Sequence, residues 1–157
     1  MNRTTVERKS DREVVVTRTF DAPARLVFEA WTKPELFGQW WVPRSMGMTL
    51  RSCELDVRTG GKYRLVFGDD PANPIAFFGN YLEVVPDKRI VWTNEESGAD
   101  GSVTTVTFEE KNGKTTLVMS ELYPTKEALD AAGTGAQEAM HETFGQLDEV
   151  LAELDAR

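Results

Sequence analysis

Between Thr49 and Leu122 the chain turns back on itself at intervals too short for anything but antiparallel neighbours. A parallel crossover takes about a dozen residues or more. Here Gly60-Gly61, Pro86-Asp87 and Asn112-Gly113 serve as tight returns. The longer ones hold only Asp70-Pro71-Ala72-Asn73-Pro74 and Ser97-Gly98-Ala99-Asp100-Gly101. Asn112-Gly113 is the sharpest signal, because both central residues of a type I′ turn need positive φ, which Asn tolerates and Gly prefers. The segments between the returns, Thr49–Val57, Lys62–Phe67, Ile75–Val85, Arg89–Asn94, Val103–Phe108 and Thr115–Leu122, predict a six-strand meander.

What flanks the meander fixes the architecture. Glu13–Phe20 is rich in β-branched residues and predicts one more strand. Asp21 is placed to cap a helix whose first turn accepts Pro23, and Val27, Ala30 and Trp31 continue it at helical spacing. Thr32-Lys33-Pro34-Glu35 has the form of a capping box ahead of a second short helix with the stripe Phe37, Trp40, Trp41. After Pro124, Thr125 can cap a short helix that Gly133 interrupts, and Thr134-Gly135-Ala136-Gln137 has the form of a second capping box. Met140, Phe144, Leu147, Leu151 and Leu154 then form one apolar face about 22 Å long at the helical rise. Residues 1–11 predict a flexible tail, and residues 12–154 a single α+β domain. A sheet that long, with one principal helix to bury, must curl around it. Curling leaves room for an internal ligand cavity.

Composition narrows the function classes. The chain has 157 residues and a net charge of −8, against nucleic-acid binding, which depends on Lys and Arg neutralising phosphates. No apolar run approaches a membrane span, and no secretory signal is visible. The single Cys53 forms no internal disulfide, so a cytoplasmic location is expected. One Cys and one His exclude a Cys/His zinc site within the chain, and no other metal or cofactor is expected. Gly113-Lys114-Thr115 lacks the rest of a phosphate loop, Gly133-Thr134-Gly135 lacks the third glycine of a dinucleotide fingerprint, and no GxSxG elbow occurs.

The run Phe20-Asp21-Ala22-Pro23, Trp31-Thr32-x-Pro34-Glu35 and Trp40-Trp41 resembles the START-like (SRPBCC) helix-grip superfamily. So do Gly60-Gly61-x-Tyr63-Arg64, Gly79-x-Tyr81-x-Glu83-Val84 and Pro86-x-x-Arg89-Ile90-Val91-Trp92-Thr93, with Phe144-x-x-Leu147-x-x-Val150-Leu151 near the end. Within it, the chain is most similar to the branch named after the activator of a heat-shock chaperone's ATPase. The resemblance implies a curved sheet of about seven strands gripping the C-terminal helix, with two small helices after the first strand closing a cavity. It also implies three kinds of role: a carrier or sensor of a small apolar molecule, a cyclase- or hydrolase-like enzyme on a polyketide-like or cyclic substrate, and a chaperone-associated interaction module with a protein partner or a second copy.

Five aromatics of the helical insert, Phe28, Trp31, Phe37, Trp40 and Trp41, can be pocket wall or plain core. Adjacent tryptophans diverge by about 100° on a helix, so Trp40 and Trp41 cannot both face one core. Period-2 alternation sets Tyr63/Leu65/Phe67, Tyr81/Glu83, Ile90/Trp92, Val106/Phe108 and Leu117/Met119/Glu121 inward. The cavity candidates are therefore Trp31, Trp40, Trp41, Tyr63, Phe67, Tyr81, Glu83, Trp92, Phe108, Met119, Glu121, Met140 and Phe144. Glu83 and Glu121 are its polar groups, with Arg64 as a partner if that strand is bulged. No catalytic residue is assigned; an enzyme would draw on Glu83, Glu121 or His141.

Overall fold

The computed structural model describes residues 4–42, 44–47, 50–68, 72, 75–95, 101–133 and 135–155. Eight antiparallel strands form one open, curved sheet: β1 (Thr5–Arg8), β2 (Glu13–Phe20), β3 (Leu50–Leu55), β4 (Lys62–Phe67), β5 (Ile75–Val85), β6 (Arg89–Thr93), β7 (Val103–Lys111) and β8 (Lys114–Leu122). Helices α1 (Ala24–Thr32) and α2 (Pro34–Trp40) follow β2, and α3 (Lys126–Ala132), α4 (Gly135–Glu138) and α5 (Met140–Asp155) follow β8. The strand order is β1-β2-β8-β7-β6-β5-β4-β3. The helical insert carries the chain from β2 to the far edge, and the meander walks back until Thr115 of β8 meets Phe20 of β2.

The sheet has one strand more than the sequence predicts. Part of the expected tail pairs with β2, Val6 opposite Val16 and Arg8 opposite Val14. Arg8 Nη2 also donates to Asp130 Oδ1 of α3 at 2.7 Å. Mixed charge hid this strand, because an edge strand needs only one apolar neighbour and tolerates charge on its open side.

Turn chemistry is as expected where positive φ is required: Asn112 and Gly113 sit at φ 54° and 77°. The helix starts differ. Asp21 pairs with Lys114 instead of capping, and the Ala24 amide donates to Glu110 Oε1 of β7 at 2.7 Å. Thr32 closes α1, its hydroxyl donating to the Glu29 carbonyl, so α2 begins at Pro34 with Lys33 at its N-cap. Thr125 does cap α3, accepting from the Ala128 amide at 3.0 Å. The other capping box starts at Thr134, outside the described residues, and Gln137 donates to the Tyr123 hydroxyl.

The core is the concave face of the sheet against α1, α2 and α5. Phe144 and Leu147 of α5 are wholly buried, with Met140, Leu151 and Leu154 nearly so. Phe144 meets Phe20 edge-on at 5.5 Å. Trp31 stands at the centre, with six rings (Phe37, Trp40, Trp41, Trp92, Phe108 and Phe144) between 4.8 and 6.3 Å away. Aromatic contacts in this range add to area burial, so the insert plugs the grip as well as covering it.

Candidate functional site

The sheet places a row of three side chains beside that plug. Trp92 of β6 faces Thr104 of β7, and Thr104 faces Glu121 of β8. One step along β8, Met119 has the same inward orientation. Two helices and a helix cap complete the walls: Met140 opens α5, Gln137 lies in α4, and Trp41 caps the C-terminus of α2. With Asn94 these residues line a pocket of about 110 Å³, open on one side.

Trp41 is held there by a residue far away in sequence. Gln146 of α5, itself buried, donates through Nε2 to the Trp40 carbonyl at 3.0 Å and the Val42 carbonyl at 2.8 Å. Its Oε1 accepts from the Arg44 amide at 2.9 Å. These bonds satisfy carbonyls that a helix end leaves unpaired and fix the α2 terminus against α5. Trp40 turns inward, wholly buried, its Nε1 donating to the Ala30 carbonyl at 2.9 Å. Trp41 stacks on Phe37 at 4.8 Å and faces the pocket.

The polar side is a connected network. Asn94 Nδ2 donates to Thr104 Oγ1 at 2.9 Å and to the Ser102 hydroxyl and carbonyl at 3.1 and 3.2 Å. Its Oδ1 accepts from the Tyr63 hydroxyl at 3.3 Å, which also reaches the Thr93 carbonyl at 2.8 Å. Ser102 Oγ donates to Glu121 Oε2 at 3.2 Å. Tyr123 is hydrogen-bonded to Glu121 as well; burial first, then the Glu121 charge, pushes its hydroxyl up to about 12. The phenol therefore keeps its proton and offers it to Glu121, and it accepts from Gln137 Nε2 at 3.0 Å. That orients the Gln137 amide and leaves Oε1, sealed from solvent, without a partner.

Of the thirteen residues singled out in the sequence, Trp41, Trp92, Met119, Glu121 and Met140 line this pocket. Trp31, Trp40, Tyr63, Phe67, Tyr81, Phe108 and Phe144 belong to the packed core. Glu83 is on the outside, exposed and paired with Arg89. A register shift in β5 between Tyr81 and Glu83 reverses the alternation, as a bulge does, and turns Val84 inward in its place. Arg64 on β4 is exposed. His141 lies on the exposed side of α5, 3.6 Å from Glu138. Asn94, Thr104 and Gln137 were missed; for Thr104 the alternation through Val106 and Phe108 carried the signal. Cys53, half-buried, has its thiol pushed up to about 11 by burial and, secondarily, by Glu35, which leaves little reactive thiolate. Among the described residues no three His, Cys, Asp or Glu cluster as a metal site.

Residues 21–152 match the family described as Activator of Hsp90 ATPase homolog 1-like protein. The chain belongs to that family. Solved structures agree with the fold. A protein from Rhodobacter sphaeroides superposes with a TM-score of 0.84 at 25% identity, covering 96% of this chain and 99% of that one. One from Nitrosomonas europaea gives 0.82 at 24%, covering 95% and 99%. An AHSA1-like protein from Aeromonas hydrophila gives 0.69 at 17%, covering 86% and 92%. No curated protein matches the chain. Members of this fold often hold ligands in a cavity, and no described helix here is long and apolar enough to cross a membrane.

Proposed function

We propose that this protein is a cytoplasmic carrier or sensor that binds a small, mainly apolar molecule in the pocket between Trp41, Trp92 and Glu121. The observation that carries the reading is the composition of that pocket: two indoles and two thioethers, together with four polar side chains, three in the Glu121–Asn94 network and one the underbonded Gln137. Ligand sites have this character, mostly apolar with a few placed polar groups. The volume limits the occupant. Drug-sized ligands need about 300 Å³ or more, whereas a cavity of about 150 Å³ suffices for benzene. At about 110 Å³ the pocket suits one ring or a short branched chain, partly projecting through its open side.

Titration of tryptophan fluorescence with single-ring compounds, and separately with sterol-sized and polyaromatic ones, tests the reading. Saturable binding of the small set is expected, and a Trp41→Phe variant should lose much of the signal. If no small compound saturates, or only the large ones do, the pocket is a packing gap and the proposal fails.

A further inference from the structure

We infer that Gln146 and Glu142 of α5 form a clasp that holds Trp41 and the turn at Arg44 and Ser45 closed against the pocket, and that this clasp sets the size of molecule the pocket admits. The inference rests on the small-molecule reading above and adds what regulates entry to that site.

The walls differ in how firmly they are fixed. Trp92, Thr104, Met119 and Glu121 stand on β6, β7 and β8, each of which is paired on both sides within the sheet. Trp41 stands where α2 stops, and the next element is the single turn Arg44–Met46. Among the described residues, the hydrogen bonds that tie Val42, Arg44 and Ser45 to the rest of the molecule all go to side chains of α5. Gln146 is the inner hook, with both atoms of its amide engaged on this segment. Glu142, one helical turn earlier on the same side, is the outer one. Its Oε2 accepts from the Ser45 amide at 2.9 Å and its Oε1 from the Ser45 hydroxyl. The hydroxyl bond first, then the amide bond, hold its carboxyl below the ordinary value of 4.5. The Arg44–Glu149 pair is exposed at both ends and adds little.

A segment held by polar contacts near the surface opens far more readily than the core around it. Trp41 and Val42 are half-buried, and Arg44 and Ser45 are exposed. With the clasp released, only the packing of its ring on Trp31, Phe37 and Trp40 keeps Trp41 in the wall. When Trp41 leaves, the pocket of about 110 Å³ gains the room of an indole. Closed, it takes one ring. A two-ring molecule binds the open form alone, and its apparent affinity is reduced by the fraction of protein that is open.

Toluene and 1-methylnaphthalene, one ring and two with no polar head group, test this with the full chain, followed by calorimetry and by the NMR signals of the methionine methyls. In the native protein toluene should saturate and shift the Met119 and Met140 methyls, and 1-methylnaphthalene should bind about tenfold or more weaker. Each bond lost from the clasp raises the open fraction about twofold to tenfold. Gln146→Met, similar in length but without the amide, should therefore tighten 1-methylnaphthalene about tenfold or more and leave toluene within about threefold. Glu142→Ala, at a half-buried position outside the pocket, should tighten 1-methylnaphthalene about threefold or more and speed hydrogen exchange at the Ser45 amide. Leu154→Ala removes a buried side chain at the far end of α5 and should lower stability with the size preference unchanged, which separates the clasp from general loosening. If Gln146→Met does not fold, Glu142→Ala decides. Equal binding of the two probes by the native protein, or a preference for toluene that Glu142→Ala leaves unchanged, overturns the clasp and leaves the pocket reading standing. If toluene does not bind the native protein, both fall.

Discussion

Gln137 gives the most direct test of the site's energetics, because the expected sign is opposite to that of most substitutions. Its side chain is 1% exposed, Nε2 is bonded to the Tyr123 hydroxyl, and Oε1 has neither a partner nor access to water. An acceptor buried in that state costs about 1–3 kcal/mol, whereas the single neutral bond at Nε2 contributes about 0.5–1.5 kcal/mol. Gln137→Met removes both at nearly constant length and places a thioether beside Met119 and Met140, which share the pocket wall. Tyr123 keeps Glu121 as its own acceptor. The balance is a gain of about 1 kcal/mol, or about 2–4 °C in Tm for a domain of this size. Thermal and urea unfolding of the two proteins measure it. A Tm lowered by about 2 °C or more would show that Oε1 is satisfied in solution, and the argument that Gln137 holds an unpaired acceptor would fall with it.

The remaining expectations concern the scaffold. A Cβ on Gly79 would stand 2.0 Å from the Thr93 carbonyl oxygen, the acceptor of the Tyr63 hydroxyl. Gly79→Ala should cost about 3 kcal/mol or more, and a normal urea midpoint would refute the close approach of Gly79 to the Thr93 backbone. Trp40→Phe should cost about 2–3 kcal/mol, through the orphaned Ala30 carbonyl and lost packing. Trp41→Phe should cost less and act mainly on binding, so equal losses of stability in the two variants would contradict the division of roles. In acid, Asp130 and Asp148 should titrate in opposite order. The Arg8 and then the Lys126 hydrogen bond hold Asp130 below its ordinary value of 3.8, so its support for β1 on α3 is present above that value and lost as pH falls through the depressed one. Burial, outweighing Arg18, raises Asp148 above 3.8, so it protonates first as pH falls, and its linked contribution to stability is present below the ordinary value and lost as pH rises through the raised one. Carboxyl-carbon NMR titration checks the order, and Asp130 protonating before Asp148 would refute it.

The meander was legible because its signals are local. Asn112-Gly113 and the alternation of Tyr63, Leu65 and Phe67 depend on a few neighbouring residues, and both appear as expected. Capping was legible only where the acceptor is local too, as at Thr125; α1 draws its acceptor from Glu110, 86 positions on, which no local pattern encodes. β1 escaped for the related reason that it pairs at the sheet edge with β2, and no local signal marks that pairing. The site was partly readable. Met119 and Glu121 follow from the phase of β8, but Glu83 was misplaced because a one-residue bulge reverses a strand's faces without a mark in its sequence. Gln137 and Gln146 read as ordinary helical polar residues, and their roles depend on α4 and α5 meeting Tyr123 and the α2 end.

The size of the pocket follows from the same insert that defines the fold. A curved sheet around one helix would enclose a large void if nothing entered it, and apolar voids lose the dispersion contacts of every atom lining them. Here Trp31, with six rings around it, occupies that volume. The free space remains only where the plug stops, against the Trp92–Thr104–Glu121 row, because polar side chains there need hydrogen-bond partners that aromatic rings cannot supply. The pocket is thus the boundary between the ring cluster and the Glu121–Asn94 network. Its apolar and its polar lining groups are consequences of the two kinds of packing that meet there, and that is why any occupant would have to match both.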